Sequence, residues 1–307
     1  MPDATNFSRR DFLAVAGLSL LAPARFWAQD KPLPARAAVD RLDGPPFVSA
    51  RGWAFVEGRS GRFLFGANET AELAMASTTK IMTAWLVLRQ AVDNPKVLDE
   101  EMTISAAAAK TGGSSARIRA GDRFSVRNLL FGLLLPSGND AATAFAEHFG
   151  PRFRDPKSTA PAVDAFVARM NRQATDLRLA QTRYFDPHGL GRNHTSARDL
   201  ATLAWNAMQN AQFRDYVRTR RHTCDALEAK GTRRSLTWNN TNKLLDIEGY
   251  DGIKTGTTTA AGNCLVSSAR RGTDHLILAV LGSTTTEGRY LDSRNLYRWA
   301  WRERGHK

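Results

Sequence analysis

Ser77-Thr-Thr-Lys80 opens onto Ile81-Met-Thr-Ala-Trp-Leu-Val-Leu-Arg-Gln-Ala-Val92, a run that is apolar on nearly all sides. A helix apolar all round is a buried one, so this stretch predicts a central helix with a serine and a lysine at its start. Residues three apart share a helix face, which sets the hydroxyl beside the amine. The positive end of a helix macrodipole disfavours an ammonium and favours developing negative charge. A partly desolvated lysine near other cations also loses its proton more readily. Lys80 is therefore suited to act as base toward Ser77 Oγ. Taken alone, the same pattern is equally a capping serine and an ordinary helix lysine.

Two later motifs change that balance. Ser137-Gly-Asn139 follows the apolar run Leu129 to Leu135. Its glycine permits a tight turn that presents a hydroxyl and an amide side by side. Lys254-Thr-Gly256 follows Gly252-Ile253 in a strand-like stretch, where a bare glycine lets a ligand approach the backbone closely. Acyl transfer needs a nucleophile, an adjacent base, a proton relay and donors for an oxyanion. In this order the three motifs supply those parts.

Around the motifs, residues 47–66 read as two strands broken by a hairpin at Gly58-Arg-Ser-Gly61. Helical spacing recurs at 126–149 on both sides of Pro136-Ser137-Gly138, at 161–180, and at 196–211 with Ser196 as N-cap. Residues 249–268 and 274–283 are β-rich runs separated by a hairpin signal at Arg270-Arg-Gly-Thr273. Tyr290 to Arg304 has an amphipathic helix pattern with Leu291, Leu296 and Trp299 on one face. Strands at both ends with helices between them predict an α/β (α+β) fold. Its antiparallel sheet of about five strands is flanked by N- and C-terminal helices, with a helical subdomain inserted at roughly 85–240. The groove is expected where the two parts meet.

Residues 1–28 read as a signal peptide: the pair Arg9-Arg10, the apolar run Phe12 to Ala24, and small residues near its end. The apolar run is shorter than the ~20 residues that span a bilayer. The adjacent arginines are similar to a twin-arginine export signal, so the expected location is periplasmic. Residues 29–43 hold Pro32, Pro34 and mixed charges and read as a linker, leaving 44–307 as the catalytic domain. The net charge of +13 would draw an exported protein to anionic surfaces. Its 34 Arg and 9 Lys are dispersed rather than interleaved with aromatics on one face, which argues against a nucleic-acid partner. Cys224 and Cys264 could pair, but geometry decides that, and Cys264 in an apolar strand is equally a buried thiol. His188 and His194 lie among Gly, Pro and Asn and read as turn residues rather than metal ligands; no cofactor or metal is expected.

The chain resembles the D-alanyl-D-alanine carboxypeptidases among the low-molecular-mass penicillin-binding proteins. The blocks that carry the resemblance are Ala76-Ser-Thr-Thr-Lys-Ile-Met-Thr83, Leu135-Pro-Ser-Gly-Asn-Asp-Ala-Ala142, Thr195-Ser-Ala-Arg-Asp199, Asn240-Thr-Asn242 and Asp251-Gly-Ile-Lys-Thr-Gly256. They run in the family's order over roughly residues 45–304. The resemblance implies an exported serine enzyme that trims the terminal D-Ala from peptidoglycan stem peptides through an acyl-enzyme, with β-lactams as covalent inhibitors. It implies Ser77 as nucleophile, Lys80 as its base, and Ser137 and Asn139 in proton transfer and positioning. Lys254, Thr255, Gly256 and Thr257 would line the substrate strand, and the N–H groups of Ser77 and Thr257 would form the oxyanion hole. Arg289 matches a family arginine for the substrate carboxylate, although an arginine opening a helix is also a common surface residue. Better-known members carry a further C-terminal β-domain and a membrane-binding helix. This chain stops about fifty residues after Lys254, so the expectation is a soluble enzyme, without a stable membrane anchor and monomeric.

Three alternatives share the motifs. A DD-endopeptidase would cut crosslinks with the same groups; Asn240-Thr-Asn242 and Ala260-Ala-Gly-Asn-Cys-Leu265 lean that way, while Ser137-Gly-Asn139 and Asp251-Gly-Ile253 lean toward a carboxypeptidase. A class A β-lactamase relies on a Glu to deacylate, yet no Glu lies between Glu147 and Glu228. A non-catalytic wall-binding module would have lost a catalytic group, and all three motifs are intact.

Overall fold

The hairpin signal at Gly58-Arg-Ser-Gly61 joins β1 (Gly52–Glu57) to β2 (Phe63–Ala67) in the computed structural model, which describes residues 44–306. The leader expected at 1–28 and the linker at 29–43 lie outside the described residues. After the short β3 (Leu73–Ala74), a 3₁₀ turn, Ala76–Thr79, leads into α1 (Lys80–Asp93). Next come β4 (Glu101–Thr103), α2 (Ala106–Ala109), β5 (Arg123–Ser125), α3 (Val126–Leu134), α4 (Asn139–Phe153) and α5 (Ala162–Asp176). A loop then reaches β6 (His194–Thr195), α6 (Ala197–Met208) and α7 (Ala211–Arg218). The chain finishes with the hairpin β7 (Arg221–Leu227) and β8 (Arg233–Asn239), the meander β9 (Tyr250–Thr258), β10 (Gly262–Arg271) and β11 (Asp274–Ser283), and α8 (Thr286–Glu303).

The main sheet has five antiparallel strands in the order β2-β1-β11-β10-β9. β1 pairs with β11 from Gly52↔Leu281 to Glu57↔Leu276, so the two ends of the domain meet in one sheet. The β-rich run 249–268 is not one strand. It turns at Thr259-Ala-Ala261, where Gly262 takes a φ of +64°, and returns as β10.

Side chains alternate across a strand, and here the alternation divides two cores. Trp53, Phe55, Leu276, Leu278 and Val280 face α8, where they meet Leu296, Tyr297, Trp299 and Ala300. The rings meet edge to face, with Trp53–Trp299 centroids 5.9 Å apart and Phe55–Tyr297 centroids 5.2 Å apart, the arrangement that aromatic quadrupoles favour. Ala54, Val56, Ile277, Ala279 and Leu281 point the other way, into a larger core with α1 and α6. Leu291, expected on the apolar face of α8, is 58% exposed; the buried face already includes Tyr290 and Ser293 and continues through Leu296, Tyr297 and Ala300, and Leu291 stands on the opposite side of the helix.

α1 is buried over Lys80–Leu88, as its all-round apolar character requires. Ser196 caps α6 by accepting from Asp199 N–H at 3.1 Å. The insertion also contains a second sheet, β4-β5-β7-β8, which its sequence hides. β4 and β5 are three residues long, and β7 and β8 mix Arg, Ser, Thr, His and Asp with few large apolar residues. Trp238 anchors this sheet: it is buried against Phe124 and donates Nε1–H to Ala116 O at 2.8 Å. Cys224 and Cys264 are both free thiols, Cys264 fully buried in β10. Among the described residues no helix is long and apolar enough to cross a membrane.

Replacing Trp238 by Ala removes a buried indole and leaves Ala116 O unpaired. The expected loss is about 3–5 kcal/mol, read as a lower urea midpoint at unchanged m-value; Trp238→Phe is expected to lose less.

Candidate active site

Ser77 and Lys80 stand at the junction of the 3₁₀ turn with α1. In a 3₁₀ turn residues i and i+3 eclipse, and the two side chains meet with Nζ 2.8 Å from Ser77 Oγ. Lys80 Nζ is also 2.7 Å from Asn139 Oδ1 and 2.8 Å from His188 O. Asn139 opens α4 and His188 lies on the loop before β6, so three separate parts of the chain close on one amine. Lys80 is fully buried. Burial lowers its pKa well below that of a free lysine, the charge of Lys254 lowers it further, and Asp186 and Asp140 partly oppose this. A neutral amine has two N–H donors and one lone pair. Asn139 Oδ1 and His188 O can only accept, whereas the Ser77 hydroxyl can donate. The partner set therefore suits a neutral Lys80 that accepts the Ser77 proton.

Each wall of this cage is fixed from behind. Asn139 donates Nδ2–H to Gly112 O at 2.7 Å, and its own N–H goes to Ser114 O at 2.7 Å. The next residue, Asp140, accepts from Ala116 N–H at 2.8 Å and Ser115 Oγ–H at 2.6 Å, which pins the loop to α4. Ser137 sits in the turn between α3 and α4 with a φ of +67°, uncommon for a residue with a Cβ. Its Oγ is buried and has no hydrogen-bond partner among the described residues. A strained backbone holding an unpaired hydroxyl is a feature that clusters at working sites.

The Gly-, Pro- and Asn-rich stretch around His188, a turn by its sequence, supplies the third acceptor of Lys80 from the loop 185–193. Asp186 organises it. Its Oδ1 accepts from His188 N–H and Gly189 N–H, and its Oδ2 accepts from Gly191 N–H at 2.7 Å. Burial alone would raise this carboxyl, but His188 and the backbone N–H groups hold it well below the usual carboxylate range. Asn193 Nδ2 and Thr83 Oγ1 then tie the loop to the start of α1 through Thr79 Oγ1 (3.1 Å) and Pro187 O (2.6 Å). Gly189 packs so closely on Ala76 that an added Cβ would lie 2.0 Å from its carbonyl oxygen. The clue in the sequence was that Asp186 precedes two glycines at turn spacing; nothing there says which carbonyl faces Lys80.

The edge strand β9 forms the other wall. At Gly256 an added Cβ would stand 3.0 Å from Ser77 N and 3.1 Å from Thr78 N, so the glycine is what lets β9 run against the start of the 3₁₀ turn. Lys254 is buried, with Nζ 3.0 Å from Thr255 O. Burial, and secondarily the Arg289 charge, bring its pKa down to about 7. Thr255 Oγ1 meets Thr241 Oγ1 at 2.7 Å. Arg289 is buried rather than superficial and donates from Nη1 to Thr257 Oγ1 at 3.0 Å and Gly256 O at 3.3 Å, while its Nε is unpaired among the described residues. Ser77, Lys80 and Asn139 thus form one cluster, and Lys254, Thr255, Gly256, Thr257 and Arg289 a second along β9. The two abut where Gly256 meets Ser77.

A nucleophile paired with a buried amine, beside a strand edge backed by cations, is the equipment of an acyl-transfer enzyme. Comparison with known proteins agrees. The family model described as D-alanyl-D-alanine carboxypeptidase matches residues 40–285. A D-alanyl-D-alanine carboxypeptidase of Streptomyces sp. (strain K15) is 36% identical, over 83% of this chain and 88% of its own. The D-alanyl-D-alanine carboxypeptidase DacD of Escherichia coli (strain K12) is 35% identical, over 83% of this chain and 64% of its own. The crystal structure of the Streptomyces K15 DD-transpeptidase is similar with a TM-score of 0.78 at 36% identity, covering 84% of this chain and 99% of that one. The chain belongs to the D-alanyl-D-alanine carboxypeptidase family.

The two lysines give opposite pH limbs. Lys80 becomes a base as pH rises through its lowered pKa, and Lys254 holds its charge below about pH 7 and loses it above. The profile of kcat/KM, which reports the free enzyme, is expected to be bell-shaped. Asp186→Asn removes a charge that raises the Lys80 pKa and loosens the loop that places His188 O. Its acid limb is expected to move to lower pH, with acylation slowed by up to about 100-fold. An unmoved limb counts against the cage.

Proposed function

We propose that this protein is a serine-type D-alanyl-D-alanine carboxypeptidase acting on peptidoglycan stem peptides. The observation that carries the reading is the Lys80 amine held between Ser77 Oγ, Asn139 Oδ1 and His188 O. Neutral Lys80 takes the Ser77 proton as Oγ attacks the carbonyl carbon of the penultimate D-Ala. The C–N bond breaks, the terminal D-Ala leaves with a proton relayed through Ser137 Oγ, and an ester remains on Ser77. Water, deprotonated by the same amine, then hydrolyses that ester. Lys254, Thr255 and Arg289 receive the terminal carboxylate, where two cations and a hydroxyl make charge-assisted hydrogen bonds. The N–H groups of Ser77 and Thr257 stabilise the oxyanion, and Asn139 positions both Lys80 and the substrate amide. β-Lactams enter the same path and stop at the acyl-enzyme.

Ser77→Ala is expected to abolish both labelling by a fluorescent penicillin and D-Ala release from pentapeptide muropeptides; unchanged turnover ends the proposal. Mass spectrometry of the wild-type products separates the activities. Loss of one Ala from monomers marks the carboxypeptidase, and monomers released from crosslinked dimers mark the endopeptidase.

The substrate lies outside the inner membrane, and the Arg9-Arg10 leader supports export to the periplasm as a folded protein, with residues 44–307 as the catalytic domain. Replacing both arginines by Lys is expected to leave the protein in the cytoplasmic fraction; normal periplasmic recovery would rule out that route.

A further inference from the structure

A groove beside α8 has no part in the chemistry above. A cavity of about 220 Å³ is walled by Arg270, Arg271, Arg294 and Arg298 over a floor that includes Tyr250 and Trp301. Arg294 and Arg298 are exposed and lie four residues apart on α8, a spacing that makes like charges repel. Neither has an acidic partner among the described residues. Arg270 is paired with Asp251 at 3.2 Å, and the Arg271 guanidinium lies over the Trp301 ring at 5.9 Å. Arg294 and Arg298 thus stand in this groove beside Arg270, whose charge is met by Asp251. Burial raises the Tyr250 pKa, and the charges of Arg294, Arg298 and Arg271 oppose that rise.

The groove leads to the catalytic wall. It shares Ile247 and Arg294 with a second cavity of about 260 Å³, whose lining includes Leu291 and Tyr290. Tyr290 OH donates to Thr241 O at 2.8 Å, accepts from Arg289 Nη2 at 3.4 Å, and so joins the groove to the strand that holds Thr255. Exposed Leu291 lines this second cavity together with Arg294, Lys243 and Glu287.

We propose that this groove is an exosite for peptidoglycan itself, in which carboxylates of a stem peptide outside the catalytic groove pair with Arg294 and Arg298. The inference rests on the reading of the protein as a peptidoglycan DD-peptidase. A narrow cleft with an aromatic floor admits a single carboxylate on a flexible peptide and fits a flat bilayer poorly. Its continuity with the Arg289 end of the site also favours the polymer being cut. The exosite holds the enzyme on the insoluble wall without touching the reacting atoms.

The test uses Arg294→Gln/Arg298→Gln in the full exported protein, with a charge-reversed Glu/Glu variant as a second step. On a Ser77→Ala background, co-sedimentation with purified sacculi is expected to be salt-sensitive and about tenfold weaker in the Gln/Gln variant, and weaker again in Glu/Glu. Sacculi whose carboxyls have been amidated are expected to lose the parent protein to the same extent. With Ser77 intact, kcat/KM on a soluble pentapeptide is expected to stay within about twofold, while D-Ala release from sacculi falls severalfold. Sacculus binding equal to the parent at matched thermal stability overturns the proposal. So does a loss confined to phosphatidylglycerol vesicles, which would assign the groove to the membrane. If the intact enzyme fails on soluble pentapeptide, the catalytic reading fails instead, and the binding data stand apart from it.

Discussion

The structure is organised around one buried amine. A lysine side chain sealed from water is costly as a cation and tolerable as a neutral amine with its donors satisfied. Lys80 meets that constraint by drawing together three chain segments that are far apart in sequence: the 3₁₀ turn before α1, the start of α4, and the loop before β6. Loss of any one would leave a buried polar atom unpaired, which ties the position of the groove to the stability of the domain. It also explains why so much hydrogen bonding lies one layer out, at Asp140, Asp186 and Asn193, on groups that do not face the substrate strand.

The cations are graded by their surroundings. Burial, and then the charge of Lys254, holds the Lys80 pKa well below that of a free lysine, while burial and the Arg289 charge bring Lys254 to about 7. Under the proposed function, these basic groups divide the work of base and anion binder. The groove beside α8 differs in that its guanidiniums are exposed, which suits retention rather than proton transfer.

Much of the architecture was legible in the sequence because its signals are local. The Gly58–Gly61 hairpin, the all-round apolar α1, the Ser196 cap and the amphipathic end of the chain each depend on residues within a few positions of one another. The second sheet was not, since β4 and β5 are too short to show a period and β7 and β8 are half solvated. Leu291 departs from the expected stripe because it stands on the opposite side of α8 from Tyr290, Ser293, Leu296 and Tyr297, and the side that the sheet covers is a matter of packing.

By itself the sequence determined the residue types and their order: a serine and lysine at one helix start, a serine and asparagine at a turn, and a lysine, threonine and glycine on a strand. Those patterns follow from short-range geometry, which a sequence encodes directly. Only the tertiary structure decided that the His188 carbonyl completes the lysine cage through Asp186, that Gly256 lets β9 touch Ser77, and that Arg289 is buried against Thr257. Backbone carbonyls carry no residue signature, and contacts between distant segments depend on how whole elements pack.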